Sequence, residues 1–447
     1  MTEKIFIRDV QIINPGGVGL LQGDLLLEDG RIAQAAPTGE LFSPNGQPTA
    51  GIRVIDGRDL IAFPGLIDAH VHFRDPGYTD KEDILTGAAA AAHGGFTTVI
   101  MMGNTRPPMD TPGRVEEVLR RAAGTGIHVC CCGNVTAGML GKELTDFAAL
   151  KKAGAVLLSD DGLPIREEAL MEKACELAAG EHMILSLHEE DPAYIGQAGI
   201  NRGKTAESMG YDGADRMAEI SMVKRDIAIA ERTGAELTIQ HVSARESVAL
   251  IRAAKATGLK IHAEATPHHF TLTEEAVTIH GTNARMNPPL REEEDRLAIM
   301  NGLADGTIDM IATDHAPHTA AEKARVFAEA PSGIIGLETA LSLVYRELVL
   351  PGILTWAQAI ERLTCAYEVY GLPGGMIAEG EPADLVLFAP DEDWTAADDT
   401  LFSKARNTPF LGEVLPGVVR MTICGGRIVY EKTGNETAFT EAICPGE

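Results

Sequence analysis

His70 and His72 close the apolar run 60–67 within the stretch Asp68-Ala69-His70-Val71-His72-Phe73-Arg74. In a β-strand alternate side chains share a face, so the two imidazoles emerge together, their Cα atoms roughly 6.6 Å apart and within reach of one cation. Imidazole pairs at strand ends are metal-site candidates. Alone, the pair reads more readily as satisfied surface or core histidines. Other strand-like runs, however, also end in ligand-type residues: 155–159 in Asp160-Asp161, 183–188 in His188, 236–241 in His241 and 308–313 in Asp314. Four imidazoles and two carboxylates exceed the needs of one tetrahedral ion and suit a two-metal centre, with ions about 3.5–4 Å apart and a bridging carboxylate. Two divalent cations, two ligating carboxylates and a hydroxide sum to a formal charge of about +1, enough to polarise a carbonyl and attract an anion.

The elements that must position these groups follow from the same runs. Strand-like segments 60–73, 97–103, 128–134, 155–159, 183–188, 236–241, 260–265 and 308–313 alternate with helical stretches, among them 81–92, 167–179, 217–232, 244–256 and 292–304, with 338–348 and 356–370 beyond the last strand. Apolar residues in the helical stretches recur at three and four, as helices covering a barrel require. Eight strand–helix units over roughly 250 residues predict an α/β fold, a (β/α)8 barrel with its chemistry at the C-terminal strand ends. Both chain ends are β-like instead: 4–13, 23–27, 31–35 and 53–56 at the start, then 384–388, 418–424 and 427–430, with Gly425-Gly426 as a hairpin turn. This pattern predicts a barrel over 61–375 inserted into a composite β-sandwich domain built from 1–60 and 376–447. At the fourth strand, neighbouring residues face opposite ways, so only one of Asp160 and Asp161 can point into the site.

Composition limits the partners. The 447 residues are 45% hydrophobic and 23% charged, with 47 Gly and 23 Pro scattered along the chain, as in an ordinary globular protein. A formal net charge of -27 repels nucleic acid and anionic membranes. An anionic substrate must therefore be held by local cations. The start, Met1 to Arg8, has no signal-like pattern and no apolar stretch reaches the roughly 18 residues of a membrane helix, which predicts a cytoplasmic protein. Seven cysteines, including the run Cys130-Cys131-Cys132, read as free, mostly buried thiols.

Longer motifs surround the candidate ligands. Pro64-Gly65-Leu66-Ile67-Asp68-Ala69-His70-Val71-His72-Phe73-Arg74-Asp75-Pro76-Gly77, Gly103-Asn104-Thr105, Asn287-Pro288-Pro289-Leu290-Arg291, Ala312-Thr313-Asp314-His315-Ala316-Pro317-His318, the segment from Pro331-Ser332-Gly333 to Glu338-Thr339 and the closing Arg406-Asn407-Thr408-Pro409-Phe410 follow in order. Over nearly its whole length the chain resembles the class I dihydroorotases of the amidohydrolase superfamily. The resemblance implies that His70, His72 and Asp314 hold one zinc, that His188 and His241 hold a second, and that Asp161 bridges them. It implies the reversible interconversion of N-carbamoyl-L-aspartate and L-dihydroorotate in pyrimidine synthesis. In that mechanism a metal-bridged hydroxide attacks the ring amide, and Asp314 passes its proton to the leaving nitrogen. Arg74, Asn104 and His318, with His72 beside them, resemble the family's carboxylate-binding group, and Asn287, Ser332 and Gly333 match positions on the pyrimidine ring. An arginine fork suits a carboxylate better than a lysine point charge.

Many superfamily members bridge their metals with a carboxylated lysine near the end of the fourth strand. Here that strand carries no lysine, and Lys151 and Lys152 precede it. A cysteine often follows the fifth-strand histidine in relatives, whereas this chain has His188-Glu189-Glu190, so the loop 193–214 is expected to pack in its own way. His93, His128, His182, His262, His280 and His315 read as structural, and His268-His269 stand where they could back the pocket. Two rival readings remain: a hydantoinase or allantoinase, relatives that typically use the lysine bridge and lack the arginine two residues after the histidine pair, and a non-catalytic scaffold that has kept its barrel. Imidazole and carboxylate accept zinc, manganese and cobalt alike. Self-association and a complex with aspartate carbamoyltransferase, which some relatives form, stay open.

Overall fold

The computed structural model describes residues 4–19, 21–41, 51–433 and 436–439. Met1–Glu3, part of the segment read for a signal, and Cys444 lie outside them. Eight parallel staves form the barrel. Leu66–Val71, Phe96–Met101 and His128–Cys131 make one hydrogen-bonded group, and Leu185–Leu187, Leu237–Ile239, Ile261–Ala265 and Met310–Ile311 another. The fourth stave, expected as a strand over 155–159, is reduced to Leu158, which bridges Gly133 on one side and Leu185 on the other. A bridge between Val71 and His315 closes the ring. Most of their side chains are buried between an inner layer and the surrounding helices, the start of the third stave at His128 being the exposed exception. Cys131 packs in the outer layer and Cys132 in the inner one, as strand alternation requires. All six described cysteines are free.

Helices Ile84–His93, Pro112–Ala122, Glu168–Glu181, Met217–Thr233, Arg245–Ala256, Glu293–Asp305 and Trp356–Thr364 form most of the outer ring. The first begins at Asp83, whose carboxylate accepts from the amides of Leu85 and Thr86 while the Thr86 hydroxyl caps the Asp83 amide. Its alanine run lets it lie close against the strands. The floor of the barrel is plugged by Tyr367, which donates to Gly65 O at 3.2 Å, and by Tyr370, whose hydroxyl lies 3.0 Å from Thr238 Oγ1. At the opposite, C-terminal rim a cavity opens among the strand ends.

The chain ends combine into one nine-stranded sheet. Its central strand, Ile61–Pro64, pairs antiparallel with Leu385–Phe388 of the C-terminal part and parallel with Gln11–Ile12 of the N-terminal part. The apolar run 60–73, expected as a single strand, is therefore two, divided at Gly65: its first half joins the terminal sheet, its second half the barrel. Contact explains the glycine. A Cβ there would lie 2.1 Å from Thr97 Oγ1 and 2.6 Å from its Cγ2. Gly65→Ala is expected to destabilise the fold by about 1–3 kcal/mol through overpacking, read as a lower urea midpoint; an unchanged midpoint would show the seam to be looser than drawn. Among the described residues no helix is long and apolar enough to cross a membrane.

Candidate metal centre and anion pocket

The strand ends deliver their side chains to one place. His70 and His72 leave the first stave, Asp161 follows the fourth, His188 the fifth, His241 the sixth and Asp314 the eighth; all are between 1% and 9% exposed. Arg74, His241 and Asp314 have positive φ, at 59°, 31° and 48°. Residues with a Cβ rarely adopt this conformation, and here it turns the chain sharply at the rim so that the side chains face inward.

Asp161 sits among the imidazoles. Its Oδ1 is 3.4 Å from His70 Nε2, 3.6 Å from His188 Nδ1 and 4.0 Å from His241 Nε2, and its Oδ2 is 3.4 Å from His72 Nε2. Asp314 Oδ1 lies 2.9 Å from His72 Nε2 and 3.5 Å from His70 Nε2. Asp160 is turned away: its carboxylate accepts the amides of Val135 and Thr136 and the Thr136 hydroxyl, leaving Asp161 as the aspartate that faces the histidines.

These contacts set the proton affinities. Burial opposes charge on His70, but Asp161 and Asp314 outweigh it and raise its pKa well above the imidazole range. Burial is likewise overcome at His188 by Asp161 and Glu190, which push it up to about 10. Burial, with His188 and His70 beside it, drives His241 well below the ordinary value. Burial would raise Asp161, yet its imidazole neighbours hold it well below the carboxylate range. The cluster is thus a set of crowded donors competing for protons in the place a cation would occupy.

The donor set fits a divalent metal. His70 Nε2 is buried with no hydrogen-bond partner. His188 Nδ1 and His241 Nε2 lie 2.9 Å apart, where the two nitrogens can share only one proton. Donor separations of 2.9–4.0 Å bracket the roughly 3.3 Å expected between ligands on a tetrahedral ion with 2.0–2.1 Å bonds. Two residues to which the sequence assigned no role support the donors. Glu264, fully buried on the seventh stave, holds His70 Nδ1 at 3.2 Å, and Asp68 accepts the amides of His70 and Thr313. A glutamate inside the apolar strand Ile261–Ala265 was the available signal for the first.

Above the donors lies a cavity of about 230 Å³ lined by His72, Arg74, Asn104, Asp161, His188, His241, Asn287, Asp314, His318, Ser332 and Gly333, among others. Every residue expected to touch substrate borders it. Asn104 joins both parts of the site, receiving His72 Nδ1 at its Oδ1 (3.0 Å) and donating to Asp161 Oδ2 (2.9 Å). Arg74 donates to Pro317 O at 3.3 Å and lies 3.5 Å from His318 Nε2; among the described residues it has no carboxylate partner. Ser332 Oγ donates to Asn287 Oδ1 at 3.1 Å. Beneath this loop, Lys323 donates to Pro331 O and Gly333 O at 3.0 and 2.9 Å, and Asn407 donates to Ala316 O and Gly333 O. Burial and the nearby Arg285 push the Lys323 ammonium down to about 7. His269 supports the same wall through Pro288 O at 3.0 Å, whereas His315 packs against Glu82 and the Gly336 amide.

Sequence comparison agrees with this geometry. The family model described as Dihydro-orotase-like matches residues 59–247, a span holding five of the six candidate ligands. The dihydroorotase of Clostridium acetobutylicum is 51% identical over 381 residues, covering 85% of this chain and 90% of the relative. That of Clostridioides difficile is 46% identical over 427 residues, covering 95% and 99%. The chain belongs to the dihydroorotase family. It is thereby a cyclic amidohydrolase, and a divalent metal cofactor goes with both the family and the donor set. Among solved structures, the L-hydantoinase of Arthrobacter aurescens superimposes with a TM-score of 0.87 at 22% identity, covering 99% of each chain. The D-hydantoinase of Thermus sp. superimposes with a TM-score of 0.82 at 23% identity, covering 98% of this chain and 97% of that one. At these identities the likeness shows the shared barrel fold, and the dihydroorotase relatives carry the family assignment.

Proposed function

We propose that this enzyme interconverts N-carbamoyl-L-aspartate and L-dihydroorotate, with two zinc ions held by His70, His72 and Asp314 on one side and by His188 and His241 on the other, Asp161 between them. The observation that carries the reading is Arg74: a guanidinium in the cavity wall, without a carboxylate of its own, beside six converging donors. A cation so placed asks for an anionic ligand. When bound, such ions polarise a carbonyl and make water nucleophilic near neutral pH.

The chain's own residues do the rest. Arg74, Asn104 and His318 take the substrate carboxylate, which fixes the ring over the donors. Asn287, Ser332 and the Gly333 backbone meet the ring's amide edge. Asp314 takes a proton from the attacking water at its carboxylate and returns it to the ring nitrogen as that bond opens; in the biosynthetic direction the transfers reverse. Free thiols go with a reducing, cytoplasmic setting.

Purified protein is expected to open L-dihydroorotate and to leave hydantoin and allantoin nearly untouched, with metal measured on the same sample. Faster opening of hydantoin would overturn the assignment. A protein that carries no metal and gains no activity on zinc addition would favour a scaffold.

A further inference from the structure

A second group of metal donors lies on the far side of the barrel from the rim. His128 opens the third stave, Asp384 immediately precedes the strand Leu385–Thr395, and Cys424 ends the strand Val414–Cys424. One ligand atom from each falls within 4.8 Å of the other two. His128 Nε2 stands 3.1 Å from Asp384 Oδ2, close to the roughly 3.3 Å between neighbouring ligands on a tetrahedral zinc. The pair is held from behind: Asp384 Oδ1 accepts the Gly425 amide at 2.6 Å, so the carboxylate cannot swing away, and Cys424 Sγ rests 3.7 Å from Thr97 O. Asp384 and Cys424 are 3% and 4% exposed, while the His128 side chain is 51% exposed and opens the group to solvent.

An ordinary histidine–aspartate ion pair needs no thiol beside it. Here three donor types that zinc favours come from three segments far apart in sequence, and a thiolate with a carboxylate would neutralise a divalent ion completely. We infer that His128, Asp384 and Cys424 form a second, three-ligand site for zinc, with one position open to water, that clamps the barrel floor to the terminal sheet. On binding, the Cys424 thiol releases its proton to solvent and the ion replaces the direct His128–Asp384 hydrogen bond. The site is independent of the catalytic reading, because it shares no residue with the rim.

Cobalt distinguishes the two places. The rim offers only nitrogen and oxygen, so a sulfur-to-cobalt charge-transfer band in the near-ultraviolet reports Cys424. Titrating Co2+ into the metal-depleted full-length protein is expected to give that band, together with one more bound equivalent than in Cys424→Ser or His128→Gln, both of which should lack the band. His128→Gln alters a half-exposed side chain and guards against a folding defect in the cysteine variant. Turnover of dihydroorotate should be the same in all three proteins. Absence of the band from the parent protein, or its survival in both variants, would overturn the site.

Discussion

Replacing Asp314 with asparagine is expected to lower kcat on dihydroorotate by about 100- to 10,000-fold, the usual worth of a positioned general acid–base, while the protein keeps its metal. The side chain stands on a left-handed turn at the end of the eighth stave, with Oδ1 2.9 Å from His72 Nε2. Asparagine preserves the size and one oxygen facing the imidazoles but offers no carboxylate to accept a proton. Steady-state kinetics with metal quantitation on the same preparation separate the roles. Full activity with full metal would remove Asp314 from the proton transfers; loss of activity together with metal would make it a ligand only.

Arg74→Lys should act on binding instead. A charge-assisted, two-pronged contact contributes about 1.5–3 kcal/mol, or roughly 10- to 150-fold in kcat/KM, and lysine keeps the charge without the fork. The loss should appear mainly in KM. Dihydrouracil, the same ring without the carboxylate, supplies the control, since the variant and the parent should handle it alike. An unchanged KM for dihydroorotate would mean that another group carries the carboxylate.

Much of this site was legible because strand periodicity is short-range. The two-residue spacing of His70 and His72 and the ligand types after later strands needed only local order to be read. Choosing between Asp160 and Asp161 needed more: alternation says that one faces inward, but the partners that turn Asp160 outward, the amides of Val135 and Thr136, lie two dozen residues away. Glu264 escaped for the same reason, its contact with His70 spanning 194 positions. The run 60–73 misled because a strand passing from one sheet to another keeps its apolar character throughout, and only the contact of Gly65 with Thr97 marks the crossing. The fourth stave kept its hydrogen-bond partners and lost regular ladder pairing, a distinction that composition does not carry.

That crossing has a mechanical consequence. Ile61–Pro64 is gripped along both edges by strands from opposite ends of the chain, and one residue later the backbone is already a stave of the barrel. No slack separates the gripped segment from His70 and His72. The terminal sheet therefore serves as a fixed datum from which the depth and rotation of this histidine pair are measured. Inserting or deleting one residue at this seam would swap the inward and outward faces of the stave, withdrawing both imidazoles from the rim while every donor on the other staves stayed in place.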